Sequence, residues 1–303
     1  MTPVEFGRER TQGDGCRRFL IHGITFDTRA ALLTRTIDPD WDPEVIAQHE
    51  QGKANIRVGL IHQLGNEDHE TKIADYSALG SAPWSTVDRH NEFMMQIRHA
   101  FAAGSYYPAL VGACALGERI LNEMIIRLRD DYTAHPATGP VAADKSFSNW
   151  NRCIEALFAW GVLEDETAIK LNQMRKLRNA SVHYGVHLVG SDAREDALRA
   201  VLLIQEVIED LFRPHGGPPR FLANTSGHSF LSLDAEQTPF VRQFLLPAAI
   251  LLSPCFRMVH NPQRGWFDVY DDESYQDEYP VLSDDEFAEH LAHPRRPGLE
   301  LPE

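Results

Sequence analysis

The chain has 303 residues, 43% of them apolar, with 29 Lys and Arg against 44 Asp and Glu, for a formal net charge of −15. That is enough apolar material for one large or two modest cores, with no run of about 18 apolar residues to span a membrane and no charged-then-apolar leader at Met1–Phe6. The acidic balance excludes a broad electrostatic footprint for nucleic acid, so any RNA binding must rest on a local patch; a soluble, cytoplasmic protein with no membrane partner is expected.

Up to residue 84 the pattern is mixed. Phe19–Phe26 and Ile56–Ile61 read as short strands, and Asp42-Pro43 reads as an N-cap followed by proline at the first helical position. Gly65-Asn66 and Gly80–Pro83 mark loops. From Ser85 the apolar period becomes helical, and Ser85–Gly104, Ser105–Asp131, Phe147–Trp160, Glu164–Tyr184 and Asp192–Pro214 each carry one apolar face. In the second of these, Ala109, Ala113, Leu116, Ile120, Met124 and Leu128 recur at helical spacing. Gly104 and Gly161 are plausible stops, Asp192 to Glu195 resembles a capping box, and Pro214 ends the fifth helix.

Five amphipathic helices with short connections bury their faces as an antiparallel helical bundle. After His215–Pro219 the texture is mixed again, with strand-like runs at Phe230–Leu233 and Trp266–Tyr270, a helix at Thr238–Leu246 and an acidic last helix at Asp284–Leu291. The expected fold is therefore mainly α, a bundle over residues 85–214 flanked by smaller mixed α/β regions at 1–84 and 215–303. The last region ends in an acidic tail, since Asp268–Glu303 holds twelve Asp and Glu against Arg295 and Arg296. That tail reads either as a solvated surface or as a restraint on RNA access.

The stretch Met174–Tyr184 concentrates the chemistry. At about 100° per residue, Leu171, Met174, Leu177, Val182 and Tyr184 spread over one side, while Asn179 and His183, at i and i+4, share a stripe on roughly the opposite side. Arg178 falls inside the apolar arc, where a guanidinium must be paired or must reach out along its stem. Glu118, near the edge of the apolar stripe of its own helix, is one partner for it. Lys170, Arg175, Lys176 and Arg178 form a local basic patch, and no run of cations marks a groove.

Other chemistries find less support. Cys16, Cys114, Cys153 and Cys255 are far apart, which indicates neither a thiolate metal site nor a disulfide framework. His183 and His187 have ligand-like spacing, but Gly185 intervenes and no nearby Cys or acid completes a zinc set, so no metal and no cofactor are expected. Neither a P-loop nor a Gly-x-Gly-x-x-Gly cradle is present, and Ser148 and Ser181 lack a nucleophile-elbow context.

Arg178-Asn179-Ala180-Ser181-Val182-His183 resembles the R-x4-H signature, with Asn directly after Arg, of HEPN domains (higher eukaryotes and prokaryotes nucleotide-binding). It lies late in one helix, preceded by an apolar helix with Leu116-Gly117-Glu118-Arg119-Ile120-Leu121 and followed by a long amphipathic one. The resemblance covers about Ser85 to Pro214. It implies a metal-independent endoribonuclease of toxin or phage-defence type, acting on RNA as a homodimer whose two motifs face one composite cleft, with an antitoxin or regulatory protein as a further partner. Arg178 would then stabilise the phosphate in the transition state, His183 would transfer the proton of the 2′-hydroxyl or of the leaving 5′-oxygen, and Asn179 would orient them. Glu118, Arg175, Lys176 and Tyr184 would be supporting residues. The alternative is a noncatalytic HEPN-like dimerisation module that binds nucleotide or protein.

Overall fold

The structure, a computed structural model, describes residues 2–4, 6–21, 27–145, 149–182, 192–216, 219–225, 229–263 and 266–293. The chain divides into two compact units, residues 25–211 in one and residues 1–24 with 212–303 in the other. Residues 27–84 lie in the first of these units together with residues 85–211.

The first unit is helical. Its elements are α1 (Arg29–Thr34), α2 (Pro43–Leu64), α3 (His69–Ala78), α4 (Asp88–Ala102), α5 (Tyr106–Leu128), α6 (Trp150–Ala159), α7 (Asp165–Val182) and α8 (Ala193–Phe212), the last residue of α8 being counted with the other unit. The five helices expected from the apolar period all form; residues 147–148 and 183–184 of the expected ranges lie outside the described residues. Ile56–Ile61, expected as a strand, lies inside α2. The alternation of Ile56, Val58 and Leu60 suggested period two, yet Leu60 and Leu64 are buried, Val58 is exposed, and the whole run lies between an Asp42 cap and Gly65. Helix α3 carries no recognisable start signal, because Asp68 before it has a left-handed backbone and makes no capping hydrogen bond.

Local chemistry sets the helix ends. Asp42 Oδ1 accepts from the Glu44 amide at 2.9 Å, Asn149 Oδ1 from Asn151 at 2.9 Å, and Asp192 Oδ1 from Arg194 at 2.9 Å, each satisfying an amide at a helix start. Helices α4 and α6 stop in the same way. Gly104 and Gly161 turn left-handed, at φ of 80° and 71°, while Ser105 and Val162 donate back to Ala100 and Leu157 at 2.9 Å, closing Schellman motifs that a side-chain-bearing residue would strain.

Helix α5 is the centre of this unit, packing against α4, α6 and α7. Ala109, Ala113, Leu116, Ile120, Met124 and Leu128 are all buried, as their spacing predicts. Close approach comes from a glycine. A Cβ on Gly117 would lie 3.0 Å from Met174 Cε of α7 and 3.0 Å from Trp150 Cη2 of α6, so the bare backbone lets both neighbours seat directly on α5. Buried polar groups are matched: the Arg98 guanidinium reaches the Gln205 amide oxygen and the carbonyls of Leu79 and Gly80, and Gln205 donates to Leu79 at 2.9 Å.

The second unit is mixed. Strand β1 (Thr2–Pro3) pairs antiparallel with β5 (Trp266–Asp271), which pairs antiparallel with β4 (Phe256–Asn261), while β2 (Arg18–Ile21) pairs antiparallel with β3 (Ala249–Leu252). Of the strand expected at Phe19–Phe26, residues 22–26 lie outside the described residues. Phe230 and Leu231 form isolated bridges rather than a strand running to Leu233, which instead begins the short helix α9 (Leu233–Glu236). The helix expected at Thr238–Leu246 forms from residue 239, is wound as a π-helix over Val241–Leu245 and passes into a 3₁₀ turn over Leu246–Ala248. Two further helices, α10 (Tyr275–Glu278) and α11 (Asp284–Ala292), complete the unit, α11 starting on a Ser283–Glu286 capping box. No described helix is long and apolar enough to cross a membrane.

Because Gly117 sits under Trp150 and Met174, Gly117→Val overpacks the α5–α6–α7 contact and should lower stability by about 1–3 kcal/mol. Urea unfolding followed by circular dichroism checks this; a midpoint equal to that of the unsubstituted protein would show that the contact has slack.

Candidate functional site

Trp150 and Met174, seated on Gly117, bring the last part of α7 beside the next residue of α5. Arg178 Nη2 lies 3.0 Å from Glu118 Oε2, the side chains being 25% and 18% exposed. The same carboxylate oxygen accepts from Trp150 Nε1 at 3.2 Å, and Trp150 itself is buried. Glu118 is thus held from two sides, and Arg178, placed by sequence inside an apolar arc, is paired as physics requires. The other guanidinium nitrogens make no hydrogen bond to a described residue, which leaves donors uncommitted within the described structure.

Beneath the pair lies Cys114, a buried thiol that donates to the Met174 carbonyl at 4.0 Å. Burial pushes it up to about 12, against the pull of Arg178, which leaves it protonated and no nucleophile at neutral pH. All four cysteines are free thiols.

The remaining predicted residues separate into two groups. Asn179 and Lys176 are exposed, and Ser181 Oγ donates to the Arg178 carbonyl at 3.2 Å. Arg175 is half-buried, with its Nε buried and without a hydrogen-bond partner among the described residues. Lys170 is committed to Asp210 at 2.9 Å and Glu206 at 3.3 Å. The basic patch is therefore smaller than the sequence suggests. His183 and Tyr184, like His187, lie outside the described residues.

One feature escaped the sequence reading. A cavity of about 550 Å³ runs along the polar side of α5, lined by Glu118, Arg119, Asn122, Ile126, Arg127 and Lys145 among others. Glu118 belongs both to this wall and to the pair with Arg178. The charges of Arg119 and Arg127 also converge on the buried His90, where burial and these two cations hold the imidazole down at about 3. The signal was present as the polar stripe Glu118, Arg119, Asn122, Glu123, Arg127, at i, i+1, i+4, i+5, i+9, which was outweighed by the apolar stripe of the same helix.

A second cavity, about 620 Å³, is lined by Asp27, Arg29, Tyr76, Asn91, Met94 and Arg98 among others, and includes none of the predicted residues. Against the cost of burial, hydrogen bonds from Arg29 and Tyr76 hold Asp27 at about 2, while burial and the bond to Asp27 push Tyr76 up to about 12. Its charges are thus engaged with one another. Among the described residues no three His, Cys, Asp or Glu side chains are grouped to hold a metal ion.

Comparison with protein-family models, with curated proteins and with solved structures gives no match for this chain.

The ion pair is partly shielded, so its coupling should exceed that of an exposed surface pair only modestly. A double-mutant cycle with Glu118→Gln and Arg178→Gln, which keeps the Trp150 contact available, should give a coupling of about 1 kcal/mol in urea unfolding. Additive single effects would mean that the two groups do not interact in solution.

Proposed function

We propose that the chain is a metal-independent endoribonuclease of the HEPN type, its helical unit dimerising so that two copies of Arg178, Asn179 and His183 share one cleft. The observation that carries this reading is the condition of Arg178, a guanidinium near the end of a helix, fixed through one nitrogen by Glu118 and a quarter exposed. A fixed, part-shielded guanidinium with donors to spare suits a phosphate whose charge builds up in a transition state.

The chemistry needs few protein groups because RNA supplies its own nucleophile. The 2′-oxygen attacks phosphorus, the bond from phosphorus to the 5′-oxygen breaks, and the products end in a 2′,3′-cyclic phosphate and a 5′-hydroxyl. One His183 accepts the 2′-hydroxyl proton and the His183 of the second copy, protonated, donates to the leaving 5′-oxygen, a division suited to a group with an unperturbed pKa of about 6.5. Asn179, exposed beside Arg178, orients the phosphate or the imidazole. On α7, Ile169, Lys176 and Asn179 are exposed along one stripe, and His183 follows at the next i+4 spacing. A second copy would cover this stripe.

A second reading has its own observation. Arg178 is neutralised by Glu118 and Lys170 by Asp210, as in a bundle that uses these cations only for stability and serves as a noncatalytic dimerisation and binding module.

Incubation with mixed RNA in EDTA separates the two. Cleavage should persist in EDTA, leave 2′,3′-cyclic ends, and fall at least 100-fold in Arg178→Ala and in His183→Ala, with light scattering at micromolar concentration giving a dimer. Cleavage absent from the unsubstituted protein supports the noncatalytic module, cleavage lost in EDTA and restored by zinc supports a histidine metal site, and a strict monomer contradicts the composite cleft.

A further inference from the structure

The acidic chain poses a problem for an RNA enzyme, and the cavity along α5 bears on it. We infer that this cavity is the path of the RNA strand, with Arg119, Arg127 and Lys145 receiving its phosphates and leading it to Arg178; the inference rests on the ribonuclease reading above. Its wall carries three cations and two carboxylates. Both carboxylates already face arginines, Glu118 paired to Arg178 at 3.0 Å and Glu123 to Arg127 at 2.8 Å. Arg119 and Lys145 have no carboxylate within ion-pair distance among the described residues, and both are exposed.

The placement suits a strand rather than a single anion. Arg119 and Arg127 lie eight residues apart on one helix, about 12 Å along its axis, so one phosphate does not satisfy both. Between them Ile126, 37% exposed, offers an apolar surface for a base or ribose. Glu118 joins the groove to the cleavage site, since the carboxylate that lines the wall is the one that holds Arg178. Arg119 stacks over the Phe93 ring at 5.7 Å, a contact that leaves its charge uncompensated, so a polyanion drawn into this groove passes directly beside the guanidinium proposed to act on it, although the chain as a whole repels it.

The test reads binding apart from cleavage. A fluorescein-labelled 2′-O-methyl RNA 12-mer, which cannot be cleaved by 2′-oxygen attack, is titrated by anisotropy from 50 to 200 mM salt. Arg119→Gln and Lys145→Gln should each weaken binding and reduce the slope of log K against log salt by about 0.7, the value for one phosphate contact on a single strand. Arg57→Gln, a surface cation on α2, should leave both unchanged, and melting curves check that the variants fold.

Three results would overturn the inference: no binding at 50 mM salt, unchanged slopes in both groove variants, or competition by poly-glutamate as strong as that by RNA. If the slopes change but the unsubstituted protein cleaves no RNA, the groove stands and the ribonuclease reading fails. If RNA is cleaved but the groove variants bind and cleave normally, the reverse holds.

Discussion

The ion pair between Glu118 and Arg178 is the interaction on which the rest of the candidate site depends. It exists because Gly117 lacks a side chain. Trp150 and Met174 occupy the space a Cβ would take, the three helices draw together, and the next residue along α5 meets the guanidinium of α7. Removing either charge leaves the other half-shielded and unmatched, which costs more than the pair itself contributes. The same carboxylate that neutralises Arg178 also fixes where its remaining donors point.

Charge across the chain is organised around such local matches. In the mixed unit, Arg17, 3% exposed at its side chain, bonds Asp271 at 2.8 Å and Asp14 at 3.1 Å, and the fully buried Arg18 bonds Asp284 at 2.6 Å. Burial raises the Asp271 carboxyl while Ser253 and Arg17 oppose it. Several acids of the segment from Asp268 onward are thus structural: Asp268 accepts from Asn261, Asp272 from Ser274, and Glu286 from Ser283. Arg119 and Lys145, which line the cavity along α5, are among the cations of the helical unit with no carboxylate at ion-pair distance among the described residues, in a chain of net charge −15.

The helices of residues 85–214 were legible because their apolar faces repeat at 3.6 residues and their ends carry glycine or Asp signals that work through the backbone. Helix α3 was not, because it starts at a left-handed Asp68 without a cap, and α2 was mistaken in part because three apolar residues at alternate positions imitate a strand. The short strand β3, Ala249–Leu252, is buried throughout, so it shows no alternation to read. At the site, Arg178 and its need for a partner followed from its place in the apolar arc, and Glu118 was among the partners considered. Arg119, Arg127 and Lys145 were not found, since Lys145 joins the other two only through the fold.

The positioning role of Glu118 is tested most directly by steady-state RNA cleavage in Glu118→Gln, which retains an acceptor for Trp150 but no charge for Arg178. On the proposed ribonuclease reading, a guanidinium released by even about 1 Å from its productive position should lower kcat about 100-fold, while loss of a carboxylate from the groove wall leaves KM unchanged or lower. An unchanged kcat, or a loss confined to KM, would contradict the claim that this carboxylate sets the geometry of Arg178.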